Sequence, residues 1–232
     1  MTATVLIHGG GLDRRCWDRL IPLLAEPVLA VDLPGRGDHP ADLRTVTFED
    51  CARSVEADLD AAGLGEVILV GHSLAGCSMP ATVGRLGDRV SGLVFVACTV
   101  PEPGLSAIDT LDPEVQELIR HSPERDEPQI MDPTMARVVL GDDLDDEQFQ
   151  WCAERLVPEA PHLSWDPVDL SPFQRTVPRT WVRTRHDAIV PADKQLRFAA
   201  NVGDCPVVDI DAGHMCMVSQ PAQLARILES LP

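Results

Sequence analysis

The chain of 232 residues is poor in basic side chains: 19 Lys plus Arg stand against 37 Asp plus Glu, a formal net charge of -18. Such a surface repels phosphate backbones and anionic bilayers and offers no positive stripe for counterion release, which argues against nucleic acid as a partner. No apolar run approaches the ~20 residues of a membrane span. The opening "MTATVLIHGG" has no basic segment followed by a long apolar stretch and a cleavage site. The expectation is a cytoplasmic protein with no membrane partner. Seven cysteines (Cys16, Cys51, Cys77, Cys98, Cys152, Cys205 and Cys216) are scattered without a C-x-x-C pair, so neither a disulfide framework nor a zinc cage is expected. No H-E-x-x-H or comparable ligand spacing occurs, and the expected cofactors and metals are none. Cys216 lies close to a histidine that matters below; it and the other six read as structural.

What the chain does have is enough apolar surface for a core, 44% hydrophobic residues, in short runs rich in Val, Ile and Leu. Runs at 3–9, 27–33, 66–73, 91–98, 179–185 and 205–211 suit strands of a parallel sheet covered on both faces. Helical spacing fills 13–26, 48–63, 73–87, 192–203 and 220–231. Strand and helix alternate, so the expected class is α/β with right-handed crossovers. Residues 101–170 break the alternation with helical stretches and no convincing strand, and carry 18 acidic residues against 4 arginines. This interval reads as a cap inserted into one domain spanning 1–232, whose core is 1–100 and 171–232. Its charge suits a solvated outer surface; a rim that attracts cations is the sharper alternative.

Within "EVILVGHSLAG" (66–76) a strand must end and a helix begin around Ser73, and Gly71, Ala75 and Gly76 remove side chains that would crowd it. A turn this tight pushes the hydroxyl out above the strand ends, where open α/β sheets bind ligands. Ala75 departs from the fifth glycine of G-x-S-x-G, with Gly76 following. A serine nucleophile needs a base held by a carboxylate. His214, in "DIDAGHMCM" after the last strand, opens at the same sheet edge, whereas His8, His72, His39, His121 and His162 have stronger structural readings. Asp187, in "HDAIVP", leaves the sheet at that edge too. The alternative exit, "VACTVPEPG", has Cys98 and Thr99 where an acid would stand. Asp209 and Asp211 precede the histidine too closely to orient its ring and read as structural. The order Ser73, Asp187, His214 is that of nucleophile-elbow enzymes. For the oxyanion the backbone N–H of Leu74, at a helix N-terminus, is one donor, and the N–H of Gly10 in "HGGG" (8–11) is the second.

These residues, with "VDLPGRGD", "HDAIVP" and "GHMCMVSQP", resemble the α/β-hydrolase superfamily, and more closely its branch of plant methylesterases and hydroxynitrile lyases. The resemblance implies six parallel strands under a helical cap. It also separates two chemistries: the branch's lyases carry a threonine after the first-strand histidine and a lysine after the catalytic one. Here those positions are Gly9 and Met215, which favours ester hydrolysis. The leading expectation is a serine hydrolase of a small carboxylic ester, monomeric or homodimeric, working through an acyl-enzyme. Thioester hydrolysis or acyl transfer, including cyclisation of a carrier-bound chain, is the alternative; a hydroxynitrile lyase or a non-catalytic binder ranks lower. Apolar pocket walls are expected from 107–119, 135–140 and Trp151.

Overall fold

The computed structural model describes residues 2–141, 143–203 and 205–231; residues 1 and 232, the ends of the expected domain, lie outside the described residues. Six strands, β1 (Ala3–Ile7), β2 (Val28–Val31), β3 (Val67–His72), β4 (Val90–Val96), β5 (Arg179–Thr184) and β6 (Val207–Ile210), form one sheet in the order β2-β1-β3-β4-β5-β6. All neighbours pair in parallel. Parallel strands need covered crossovers, and these are α1 (Phe48–Ala61) and α2 (Ala75–Leu86) before β4, and α7 (Ala192–Asn201) before β6. Between β4 and β5 lie α3 (Pro113–Arg120), α4 (Pro133–Val139), α5 (Asp146–Ala153) and α6 (His162–Trp165); α8 (Cys216–Ser219) and α9 (Pro221–Glu229) close the chain.

Alternation along each strand builds two cores. Val5, Ile7, Leu69, Phe95 and Trp181 face Val55, Leu59 and Val83 of α1 and α2. Leu6, Val70, Val94, Val182 and Ile210 face Trp17, Met217 and Leu224 on the other side. A capping box starts α1: the Thr47 hydroxyl accepts from Asp50 N–H while the Asp50 carboxylate accepts from Thr47 N–H.

The expected helix over 13–26 is absent. Two short 3₁₀ turns, Arg14–Trp17 and Ile21–Leu23, stand in its place. Pro22 has no N–H to give to a fourth-previous carbonyl and its ring clashes with that carbonyl, so an α-helix cannot continue through it. Trp17 and Leu20 are nonetheless fully buried, because the apolar spacing needed only a turn to reach the sheet. Between β4 and β5 the structure is helical, with one isolated bridge, Gln129 to Glu159, among the described residues.

Candidate active site

From β1 the chain crosses to β2 on one side, and β3 then joins β1 on the other. The loops leaving β1 and β3 therefore diverge, opening a crevice at the strands' carboxyl ends. Gly9–Gly11 and Ser73–Leu74 occupy its two walls. With β3 ending at His72 and α2 starting at Ala75, two residues must reverse the chain. Ser73 does so at φ 53, a left-handed conformation that costs a side-chain-bearing residue about 1 kcal/mol or more. Three hydrogen bonds hold it there: Ser73 N–H donates to Val96 O (3.1 Å), and Ser73 O accepts from Thr99 N–H (2.9 Å) and Gly76 N–H (3.1 Å). The glycine this elbow requires is Gly76, where a Cβ would stand 2.4 Å from Thr99 O. At the motif's fifth position the Ala75 methyl is simply absorbed into the core.

His214 reaches the serine from the loop between β6 and α8. Its Nε2 is 2.9 Å from Ser73 Oγ and its Nδ1 is 2.8 Å from Asp187 Oδ2. A carboxylate only accepts, so Nδ1 carries the ring proton and Nε2 presents its lone pair to the serine O–H. Asp187 is itself fixed: Oδ1 accepts from the N–H groups of Ile189 (2.9 Å) and Val190 (2.8 Å), and Oδ2 from the Thr184 hydroxyl (2.8 Å). Burial pushes the Asp187 carboxyl up, but the His214 imidazole and these donors outweigh burial and hold it below the ordinary range. Behind Thr184 lies Gln195, fully buried. Its Nε2 donates to Thr184 Oγ1 (2.9 Å), Thr184 O (3.0 Å) and Val190 O (2.7 Å), and its Oε1 accepts from Thr184 N–H (3.2 Å) and Trp181 Nε1–H (3.3 Å). Below the histidine, His72 donates from Nε2 to His214 O (3.0 Å), and burial pushes its pKa down to about 3. His72 is thus a neutral prop for the loop.

The glycine loop is braced from both sides. His8 spans β1 and β2, donating from Nδ1 to Gly9 O (2.9 Å) and accepting at Nε2 from Leu33 N–H (3.2 Å). Burial lowers its pKa to about 3 as well, so it stays neutral. A Cβ on Gly9 would lie 2.8 Å from Ser73 Cβ, so the loop and the elbow meet without room for a side chain. The N–H groups of Gly10 and Leu74 donate to no protein acceptor among the described residues, unlike Gly11 N–H, which donates to Glu159 Oε2 (2.8 Å). Sequence reasoning missed Glu159 and its partner Arg36, whose Nη2 is 2.6 Å from Glu159 Oε1. The arginine of "LPGRGD" is almost never buried without a partner of opposite charge, but nothing in the sequence points to a residue 123 positions away. Asp143 was missed likewise; its Oδ2 accepts from Gly213 N–H (2.6 Å), beside His214.

Asp209, Asp211 and Cys216, expected to be structural, take no part in these contacts. Asp209 pairs with Arg183 and Asp211 with His186 at the surface. Cys216 is fully buried, and burial pushes its thiol well up from the reactive range. The helices expected to supply apolar walls point partly outward: Leu118 is 75% exposed and Val138 66%, while Ile108, Ala136 and Leu140 are packed into the interior. A hollow of about 1060 Å³ opens at the opposite ends of the strands, lined by Thr4, Ile68, Gly92, Thr180 and Val208, and touches neither Ser73 nor His214.

The "Alpha/beta hydrolase family" profile matches residues 4–227. A pyrethroid hydrolase of Sphingobium wenxiniae is 27% identical, the match covering 98% of this chain and 86% of the relative. Polyneuridine aldehyde esterase of Rauvolfia serpentina is also 27% identical, over 97% of this chain and 93% of its own. Among solved structures, an extracellular alpha/beta-hydrolase from a Paenibacillus species superposes with a TM-score of 0.87 at 20% identity, covering 100% of this chain and 99% of the other. The chain belongs to the α/β-hydrolase family, in its methylesterase-like branch.

Proposed function

We propose that the protein is a serine hydrolase that cleaves a small carboxylic ester through an acyl-enzyme on Ser73. The observation that carries this reading is the unbroken chain from Ser73 Oγ through His214 to Asp187, with contacts of 2.9 and 2.8 Å. Ser73 Oγ attacks the acyl carbon while its proton passes to His214 Nε2. Asp187 stabilises the imidazolium so formed. Negative charge develops on the carbonyl oxygen, where the N–H groups of Gly10 and Leu74 receive it; each such donor is worth about 3 kcal/mol of barrier. Collapse breaks the bond to the alcohol, which leaves with the proton from Nε2. Water then donates a proton to Nε2, attacks the acyl-enzyme and releases the acid, restoring Ser73 Oγ–H. No step calls on a metal or cofactor.

Relatives named as esterases and hydrolases support this class of substrate. The lyase alternative loses ground on sterics: the Gly9 position has no space for a threonine, and Met215 is buried in the core. We take residues 101–170 to cap the site of a single domain over 1–232, supported by Glu159 and Asp143, which reach Gly11 N–H and Gly213 N–H from that interval. We assign the protein to the cytoplasm, a compartment that suits its free cysteines, and take it to be a monomer or homodimer.

The deciding experiment is burst release of 4-nitrophenol from its acetate, with Ser73→Ala as the comparison. A burst that vanishes in the variant is expected. Equal release by both proteins would refute the reading.

A further inference from the structure

We infer that Glu159, neutralised by Arg36, is a positioning residue that aims the Gly10 N–H at the developing oxyanion. The inference rests on the Ser73 acyl-enzyme reading and goes one layer out from it.

Three consecutive glycines have the widest backbone freedom of any tripeptide, yet a donor that is to stabilise a transition state must be fixed before the reaction. The loop's own sequence does not supply that rigidity. Outside groups do. The Gly9–Gly10 peptide is held at its carbonyl by His8 Nδ1–H (2.9 Å), and because a trans peptide is planar, Gly10 N–H must point the opposite way. The Gly10–Gly11 peptide is held at its N–H by Glu159 Oε2 (2.8 Å). The next peptide is held at Gly11 O by Val157 N–H (2.9 Å), two residues from Glu159. Both planes flanking Gly10 are therefore pinned, one from the sheet and one from the interval between β4 and β5.

This solution carries an electrostatic hazard. Glu159 Oε2 lies 3.2 Å from where a Gly10 Cβ would be, so an uncompensated carboxylate there opposes the negative charge arriving at Gly10 N–H. Arg36 removes the hazard. Its Nη2 holds Glu159 Oε1 at 2.6 Å, and its side chain is 1% exposed. Nε and Nη1 are committed to Leu12 O and Pro34 O, both at 3.0 Å, which leaves the guanidinium one orientation. Ala160 N–H adds a second donor to Oε1 at 2.7 Å. The carboxylate thus acts as an acceptor for Gly11 while its charge is balanced on the far side.

The test measures kcat and KM for 4-nitrophenyl acetate in the wild type, Glu159→Ala, Arg36→Gln and the double variant Arg36→Gln/Glu159→Gln. Amide exchange of the segment around Gly11 and thermal unfolding are followed in parallel. Glu159→Ala is expected to lower kcat about 30-fold, part of what losing an oxyanion donor costs, with KM within about 3-fold and faster exchange at Gly11. Arg36→Gln leaves the charge bare and is expected to lose about 100-fold. The double variant, an uncharged amide pair, is expected to recover to within about 10-fold of wild type. A merely structural role predicts the reverse, with the double variant at least as impaired as Arg36→Gln. If Arg36→Gln does not fold, Glu159→Ala decides. A kcat within about 2-fold of wild type, or a loss confined to KM, overturns the inference. Turnover that survives Ser73→Ala instead brings down the underlying reading, which keeps the two failures distinct.

Discussion

Replacing Gln195 by leucine removes the support behind the triad while leaving every residue of the triad in place. The glutamine engages Thr184 N–H, Thr184 O, Thr184 Oγ1, Val190 O and Trp181 Nε1–H. Leucine fills similar volume and offers none of these contacts. Two buried donors, the Trp181 indole and the Thr184 amide, then lose this acceptor, and a buried donor left unmatched costs about 1–3 kcal/mol. Apolar burial of the new side chain offsets about 1.5 kcal/mol, so the net loss is about 3 kcal/mol. For a chain of this length that lowers Tm by roughly 10 °C. The kinetic effect runs through one hydroxyl. Thr184 Oγ1 points its proton at Asp187 because Gln195 Nε2–H occupies its acceptor side. With that donor gone the hydroxyl is free to turn, and Asp187 keeps only the Ile189 and Val190 amides and His214. A roughly 10-fold fall in kcat follows, about the worth of one hydrogen bond to a charged group. Urea unfolding followed by Trp fluorescence gives the first quantity and ester turnover the second. Thr184→Val is the control, expected to match the kcat loss at less than half the stability loss. A Gln195→Leu protein within about 1 kcal/mol of wild type, or one whose kcat falls while Thr184→Val leaves it unchanged, refutes the reasoning.

Three further expectations follow from the same geometry. Asp187→Asn removes the charge that fixes the His214 tautomer and should lower kcat by about 10⁴-fold with little change in KM, as in other triads; stopped-flow acylation rates check it. His8 and His72 are buried and neutral, with pKa values depressed to about 3 against 6.5 for an unfolded chain. The unfolded state therefore binds protons that the folded state refuses, and the stability they contribute, complete above about pH 6.5, is lost as pH falls towards 3, by up to about 1.4 kcal/mol per pH unit for each. Urea midpoints at pH 7, 6 and 5 should fall progressively, and a flat series contradicts the burial argument. Gly76→Ala puts a methyl 2.4 Å from Thr99 O, where backbone must move, whereas Gly84→Ala meets the Pro172 ring at 3.4 Å (Cγ) and 3.6 Å (Cβ), ordinary contact distances. The first should cost about 3 kcal/mol and most of the activity; the second should stabilise α2 by about 0.5–1 kcal/mol. Thermal unfolding of the pair measures the contrast.

Most of the sheet was legible because its signal is local. Five of the six expected strand runs contain the observed strand, while β4 begins at Val90, one residue before its run, and periodicity located α1, α2, α7 and α9 to within a few residues. The helix over 13–26 failed because the apolar spacing outweighed Pro22, which interrupts the hydrogen-bond ladder whatever its neighbours prefer. The residues expected at the site come together because strand exits in a parallel sheet share one edge, so chain order alone narrows the choice. Ser73, Asp187 and His214 meet although they lie 141 and 27 positions apart. Gln195 was illegible for another reason: a glutamine on a helix ordinarily faces water, and only packing against β5 turns it inward. Glu159 and Asp143 sit in an acidic interval where no single carboxylate stands out, and their partners are backbone amides, which leave no mark on a sequence. The direction of Leu118 and Val138 was equally hidden, since apolar spacing on a short helix does not say which side is covered.

His214, the proposed base, follows β6, which lies at the edge of the sheet and pairs with β5. The turn at Ser73 is held independently, by Val96, Thr99 and Gly76. Were β6 to detach, Ser73 would keep its conformation but lose the imidazole beside it, and on the proposed mechanism it would then be no more nucleophilic than any alcohol in water. Local opening at one edge of the sheet, well short of global unfolding, is thus enough to silence the proposed chemistry.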